Sequence, residues 1–137
     1  MISLVLGGEK SGKSDLAWEL FRQAPGEGVV LAMGLARDAS FRRQILDHRL
    51  KRDPAVPVAE PGADLPEALG EAFAAGRNVL VDSLDFWLFT CMEEGLDRTG
   101  DLAASLAPFG GPDSPRVVLV SCEVGLGPVA ATSLARR

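Results

Sequence analysis

Several residue types are scarce in this sequence, and each scarcity excludes a class of protein. Its 137 residues contain no tyrosine, a single histidine (His48) and two cysteines, Cys91 and Cys122, which lack the C-x-x-C spacing of a metal or redox motif. Such cysteines are typical of buried thiols in a reducing compartment. No apolar run reaches the length of about 20 residues that a membrane-spanning helix needs. The first residues lead straight into an apolar strand and lack a signal-peptide pattern, so we expect a cytoplasmic protein without a membrane span.

Positive charge is also limited. The formal net charge is −5, and the sequence has no long block of lysine and arginine. One segment gathers six basic residues, namely Arg37, Arg42, Arg43, Arg49, Lys51 and Arg52. This distribution argues against a nucleic-acid partner and is compatible with a local patch that faces phosphate. The length fits a single domain over residues 1–137.

What the sequence does contain is a phosphate-binding loop near its start. The spacing G-x-x-x-x-G-K-S is met by Gly7, Gly8, Glu9, Lys10, Ser11, Gly12, Lys13 and Ser14, between an apolar run and a helical segment. The glycines let the backbone turn tightly, and successive N–H groups then point at an anion. Lys13 can reach the terminal phosphates, and the Ser14 hydroxyl can bind Mg²⁺. The alternative is a Gly-rich turn before a helix that binds nothing.

Apolar runs and amphipathic segments alternate along the chain. Buried strands are predicted over residues 2–6, 29–33, 78–82 and 116–122, with a short strand over 56–59. Helices are predicted over residues 13–22, 40–52, 64–76, 86–94, 102–109 and 129–137, the first with Leu16, Ala17 and Leu20 inward. This order predicts an α/β fold of the P-loop nucleotide-binding type, with a mainly parallel sheet and helices on both faces. Strands 2–6 and 78–82 should both be central, and adjacent or separated by one strand.

Asp82 is the candidate second ligand of the magnesium ion. It ends an apolar strand, and ligands of open α/β sheets bind at the carboxyl ends of strands. Magnesium bound with a nucleotide needs hard oxygen ligands beyond Ser14 and the phosphates. The alternative role for Asp82 is to cap the following turn or helix.

His48 has two interpretations. It shares a predicted helical face with Phe41 and Ile45, which on spacing alone is better explained by a packed or solvent-edge histidine. The neighbouring Lys51 and Arg52 are compatible with phosphate proximity, or with a solvated charged face. We include both basic residues in the predicted nucleotide site, together with Met33 and Gly34, which close the second strand.

Taken in order, these residues resemble one family, the bifunctional adenosylcobinamide kinase / adenosylcobinamide-phosphate guanylyltransferases of cobalamin assembly. The similarity spans the whole chain. It is carried by the loop of residues 7–14, by Ile45, His48, Arg52, Pro54 and Glu60, by Asp82 and Trp87, and by the Glu-Val-Gly-x-Gly of residues 123–127 with Leu-Ala-Arg at 134–136. The loop alone is shared with many enzymes, whereas the ordered set is far more specific.

The resemblance implies a two-step enzyme. ATP or GTP phosphorylates the aminopropanol hydroxyl of adenosylcobinamide, and a histidine, here His48, then takes the guanylyl group of GTP and passes it to adenosylcobinamide phosphate. It also implies that Glu60 helps to hold guanine, and that the chain forms a homo-trimer. Two alternatives are a different small-molecule P-loop kinase and a nucleotide-binding remnant without turnover.

The chain also departs from the family pattern. Met33 stands where a threonine is usual, Val56 lies near a usual tryptophan, Thr90 near a usual asparagine, and Cys122 occupies an asparagine position. Residues 130–133 replace Pro-Glu-Asn-Arg, and a further helical segment and last strand are expected beyond Arg137. We therefore expect a domain incomplete at its C-terminal end. Strand 116–122 would then expose an edge or a face, with self-association as the result.

Overall fold

A parallel sheet with helices on both faces forms the structure, a computed structural model that describes residues 1–7, 13–33 and 56–122. For Lys13, Ser14 and Cys122 the description covers the backbone only. The strands are β1 (Ile2–Gly7), β2 (Gly28–Ala32), β3 (Val58–Ala59), β4 (Asn78–Asp82) and β5 (Val117–Cys122). The helices are α1 (Lys13–Gln23), α2 (Leu65–Ala74), α3 (Leu84–Glu93) and α4 (Thr99–Leu106), with 3₁₀ turns at Gly62–Asp64 and Ala107–Gly110.

The described strands lie in the order β1-β5-β4-β2-β3, and every neighbouring pair is parallel. The predicted α/β fold with a parallel sheet is therefore confirmed. The register places Gly7 opposite Cys122, and Asp82 opposite both Val120 and Ala32. One strand, β5, separates β1 from β4, as expected. Within the described residues, however, β1 is an outer strand, so the expectation that it is central is not met there.

Side chains of the strands alternate between two cores, because successive residues of a strand point to opposite faces. On one face α1 covers the sheet through Ala17, Trp18 and Phe21, which pack with Val5, Val30, Leu80, Val118 and Val120. On the other face the sheet is covered by α2, α3, α4 and the 3₁₀ turn at Ala107–Gly110. Their side chains, which include Leu65, Leu69, Phe86, Trp87, Leu102 and Phe109, pack on Val29, Leu31, Val79, Val81, Val117 and Leu119. The prediction of helices on both faces is confirmed.

The inward face of α1 differs from the prediction. Ala17 is buried and Leu20 is half-buried against the core, but Leu16 is 55% exposed. The buried aromatics are Trp18 and Phe21, whose ring centroids lie 5.7 Å apart. These two large rings bury far more apolar area than Leu16 could, and they turn the helix accordingly.

The helix α2 lies within the predicted range of residues 64–76, as Leu65–Ala74. Leu65, Leu69 and Ala72 are buried, Ala68 is partly buried, and Gly76 ends the helical turn with a φ of 70°. Glycine adopts this left-handed conformation without steric cost, which explains why the helix stops there.

The expectation that the last strand exposes an edge or a face is wrong. β5 pairs with β1 on one side and β4 on the other, and residues Val117 to Val120 are at most 5% exposed. The described outer position belongs to β1, where Ile2, Leu4 and Leu6 are 43%, 54% and 54% exposed. A hydrophobic run is equally typical of a central and an outer strand, so the sequence could not separate the two.

Candidate active site

The carboxyl ends of all described strands meet at one edge of the sheet because the strands are parallel. In sheet order the ends are Gly7, Cys122, Asp82, Ala32 and Ala59. Ligands of open α/β sheets bind outside this edge. Three predicted site regions therefore converge here: the start of the phosphate-binding loop after β1, Asp82 on β4, and the residues after β2 and β3.

The phosphate-binding loop is bounded as the sequence predicts. Gly7 is the last residue of β1 and Lys13 is the first residue of α1, so the strand–loop–helix context is confirmed. The N-terminus of a helix offers free N–H groups and the positive end of its dipole to an anion. The loop residues Gly8, Glu9, Lys10, Ser11 and Gly12 lie outside the described residues, as do the side chains of Lys13 and Ser14.

Asp82 ends β4 two strand positions from Gly7. Strands in a sheet are about 4.8 Å apart, so the two ends lie roughly 10 Å apart along the edge. The Asp82 carbonyl accepts a hydrogen bond of 2.8 Å from the Met33 N–H, which ties the end of β2 to the end of β4, and the Asp82–Ser83 peptide bond is cis. This placement agrees with the requirement that the loop and the acid face one ion. The carboxylate's metal role stays a prediction.

Met33 and Glu60 sit on the far side of Asp82 from the loop. Met33 is 4% exposed and packs in the core, which leaves any nucleotide contact of this residue to its main-chain atoms. Glu60 follows the last residue of β3 and is exposed at the carboxyl edge. Gly34, His48, Lys51 and Arg52 lie outside the described residues, and their roles stay predictions.

Two side-chain donors that no sequence pattern pairs meet at the Ala63 carbonyl, three residues after Glu60. The indole Nε1 of Trp87 donates to the Ala63 carbonyl at 3.1 Å, and Nη1 of Arg98 donates to the same oxygen at 2.8 Å. Trp87 is fully buried, whereas Arg98 keeps 17% of its side chain exposed. The resemblance to the family contained Trp87 but gave no signal for Arg98.

Arg98 also organises the surrounding carboxylates. Its guanidinium donates to both oxygens of Glu67 and, at 3.1 Å, to Asp101, and lies 3.6 Å from an oxygen of Asp64. The hydrogen bond from Arg98 holds the pKa of Glu67 below its usual value, and the bonds to Glu67 and Asp101 raise the pKa of Arg98.

The free cysteine Cys91 lies buried in α3. Burial raises the pKa of its thiol and so keeps it protonated.

The parallel sheet, the helices on both faces and the strand–loop–helix passage after β1 are those of an α/β protein of the phosphate-binding-loop type. Residues 3–137 match the family described as cobinamide kinase / cobinamide phosphate guanyltransferase. The bifunctional adenosylcobalamin biosynthesis protein CobP of Pseudomonas aeruginosa is 35% identical over 140 residues, covering 100% of this chain and 80% of that protein. The chain belongs to the cobinamide kinase / cobinamide phosphate guanyltransferase family, and the resemblance and the enzyme class predicted from the sequence are confirmed.

No helix within residues 1–7, 13–33 and 56–122 combines the length and the apolar character needed to cross a membrane.

Proposed function

We propose that this chain phosphorylates adenosylcobinamide and then transfers a guanylyl group from GTP to the product, with His48 as the intermediate carrier. The observation that carries the proposal is the order along the carboxyl edge of Gly7, where the loop begins, Asp82 and Glu60. This order suits a nucleotide laid across the strand ends, with its phosphates over β1 and its base toward β3. Family membership supplies the chemistry that is expected there.

In the first step the loop holds the triphosphate of ATP or GTP through its N–H groups and Lys13. The aminopropanol hydroxyl attacks the γ-phosphorus, the bond to the β–γ bridging oxygen breaks, and the hydroxyl proton leaves to solvent. Lys13 stabilises the charge that develops on the transferring phosphoryl group. The chain's part is therefore mostly positioning and electrostatic stabilisation.

Mg²⁺ is the expected cofactor, and Ser14 and Asp82 would hold it. In the described part of the chain no cluster of three or more histidine, cysteine or acidic residues is found. A single edge carboxylate fits this ion, because magnesium in nucleotide sites keeps several waters and takes its remaining ligands from phosphates. When bound, it neutralises charge on the β- and γ-phosphates.

In the second step a ring nitrogen of His48 attacks the α-phosphorus of GTP and pyrophosphate leaves. An oxygen of adenosylcobinamide phosphate then attacks the same phosphorus, and the histidine is released. A neutral imidazole is a competent nucleophile near pH 7. The carboxylate of Glu60 would accept hydrogen bonds from the N–H groups of guanine.

The histidine carrier is tested with GTP radiolabelled at the α-phosphate. We expect a labelled protein whose adduct is acid-labile and alkali-stable, as phosphoramidates are, and no label from GTP marked at the γ-phosphate. His48→Asn should abolish labelling while triphosphate binding persists. Labelling that survives this substitution would exclude His48. Kinase activity without any adduct would favour a different small-molecule kinase, and GTP binding without turnover would favour a nucleotide-binding remnant.

By the family resemblance we further propose a cytoplasmic homo-trimer. Sedimentation should give one species of three times the 14.5 kDa chain mass. A monodisperse monomer with both activities would contradict the trimer.

A further inference from the structure

The segment around Glu60 is fixed on its N-terminal side by strand pairing. Val58 and Ala59 pair with Val30 and Leu31, and the Val30 N–H donates to the Pro57 carbonyl at 2.9 Å. Glu60 is thus the first residue past a short, anchored strand. A strand of two residues fixes little by itself, so the course of the backbone at Glu60 also depends on what holds the chain beyond it.

On the C-terminal side the chain is fixed by the 3₁₀ turn Gly62–Asp64. The Asp64 N–H donates to the Pro61 carbonyl at 3.1 Å, and the Ala63 carbonyl receives both Trp87 Nε1 and Arg98 Nη1. A carbonyl oxygen has two lone pairs, and both are used here. Three residues after Glu60, the backbone is therefore held by two donors.

The two donors connect this turn to the rest of the site. Trp87 lies in α3, which begins at Leu84, two residues after Asp82. Its indole therefore links the turn beyond Glu60 to the segment that carries the candidate magnesium ligand. Arg98 is the N-cap residue of α4 and is itself oriented by Glu67 of α2 and Asp101 of α4. A planar guanidinium held by several acceptors has little freedom to reorient.

We propose that Trp87 and Arg98 are positioning residues for Glu60, and that they set the preference of the site for guanine over adenine. The inference rests on the proposed function in taking Glu60 as the group that accepts hydrogen bonds from the base. Guanine has N–H donors at N1 and at its 2-amino group. At the same two positions adenine has a ring nitrogen that accepts and a carbon without an amino group. A carboxylate discriminates between the two only if it is held within hydrogen-bond range of those donors.

The test compares three probes on the full chain: GTP, ATP and inorganic tripolyphosphate, which lacks a base. Arg98→Gln removes the positive charge and the planar set of guanidinium N–H donors. We expect GTP affinity to fall by about tenfold, as for the loss of one charge-assisted hydrogen bond, with tripolyphosphate affinity unchanged. Arg98→Lys keeps the positive charge but lacks the planar guanidinium donors, so it should recover only part of the preference for GTP over ATP. Trp87→Phe keeps an aromatic ring, removes the N–H donor and should shift the preference in the same direction.

The matched control is Arg77→Gln. Arg77 is also an ion-paired arginine, 3.8 Å from Glu27, but it precedes β4 and therefore lies at the opposite edge of the sheet. It should leave the GTP-to-ATP preference unchanged. Equal losses for all three probes in Arg98→Gln and in Trp87→Phe would show a merely structural anchor and overturn the inference.

Glu60→Gln separates this inference from the proposed function beneath it. If Glu60→Gln leaves the preference for GTP intact, the proposed base contact itself fails. If Glu60→Gln removes the preference while Arg98→Gln and Trp87→Phe do not, the base contact survives and the positioning inference fails. If both are right, Arg98→Gln adds no further loss of preference in the Glu60→Gln background, because the two residues act through one contact.

Discussion

At the residue scale, Asn78 shows how one buried polar side chain joins separate parts of the chain. It is 4% exposed, donates through Nδ2 to the Pro25 carbonyl at 2.8 Å, and accepts through Oδ1 from the Arg116 N–H at 2.8 Å. It therefore links the segment after α1 to the start of β5. From the sequence alone, Asn78 is predicted only to begin a strand.

Asn78→Ala should lower the free energy of unfolding by roughly 1–3 kcal/mol, because it leaves the part-buried Pro25 carbonyl and Arg116 N–H without their partner. Asn78→Asp should also destabilise, since a carboxylate keeps the acceptor but cannot donate to Pro25. Urea unfolding measures both. Arg77→Ala, at the exposed neighbouring position, is the control and should change stability by less than about 0.5 kcal/mol.

Glu67 gives a pH-dependent prediction. Its pKa is lowered in the folded state by the hydrogen bond from Arg98, so its contribution to stability is present above the unfolded pKa, near 4.3, and is lost as the pH falls through the lower folded value. Glu67→Gln should flatten the fall of stability in that acid window and have little effect on its slope at pH 6–8. Both partners contact solvent, so added salt should reduce the difference. Identical acid unfolding curves for the two proteins would contradict it.

At the element scale, the phosphate-binding loop between β1 and α1 is the segment that we propose carries the first chemical step. Lys13→Ala should reduce the phosphorylation of adenosylcobinamide about 10²–10³-fold, near 3 kcal/mol at the transition state, because one pre-organised cation is lost at the transferring phosphate. Steady-state kinetics with ATP and with GTP measure it. An unchanged rate and unchanged nucleotide affinity would show that the loop does not act in catalysis.

The contact between α1 and β2 depends on a glycine. A Cβ at Gly28 would lie 2.5 Å from Cζ of Phe21, whose ring is buried and packed against Trp18. Gly28→Ala should lower the free energy of unfolding by roughly 1–3 kcal/mol, because the added methyl group overpacks the contact with Phe21. Adding Phe21→Leu to the Gly28→Ala chain should recover part of that loss.

Gly70→Ala is the matched control for that prediction. Gly70 lies inside α2, and a Cβ there meets no atom within 4 Å. Alanine should therefore stabilise the protein by roughly 0.5–1 kcal/mol through helix propensity. Thermal melting of the two variants should shift in opposite directions, and a shift in the same direction would contradict the packing argument.

At the scale of the whole molecule, the sheet order decides which strand carries the core. Leu119 of β5 and Leu4 of β1 stand opposite each other in register, yet Leu119 is 5% exposed and Leu4 is 54% exposed. Leu119→Ala should destabilise by about 2–5 kcal/mol, the usual cost of a cavity in a core. Leu4→Ala should cost less than half as much. Equal losses of stability for the two variants would mean that Leu4 is as closely packed as Leu119, and would contradict the prediction.

Four features could be predicted from the sequence alone: the fold class, the strand and helix that bound the loop, the position of Asp82 at a strand end, and the family. Each depends on the order of residues along the chain and not on which distant segments meet. A strand followed by G-x-x-x-x-G-K-S and a helix can be predicted without knowing which elements lie beside it. The same holds for the helix predicted over residues 64–76. The prediction that Leu16 lies on the buried face of α1 was wrong, because the sequence does not show how the rings of Trp18 and Phe21 pack.

Two features could not be predicted from the sequence: which strand is central, and which side chains meet across long stretches of chain. β5 lies between β1 and β4, whereas β1 is the outer strand of the described sheet, and the hydrophobic runs of the two strands look alike in sequence. Trp87 and Arg98 meet at Ala63 across 24 and 35 residues, and Asn78 joins segments 53 and 38 residues away. Such contacts leave no periodic signal, because they are fixed by the packing of whole elements and not by the residues next to them.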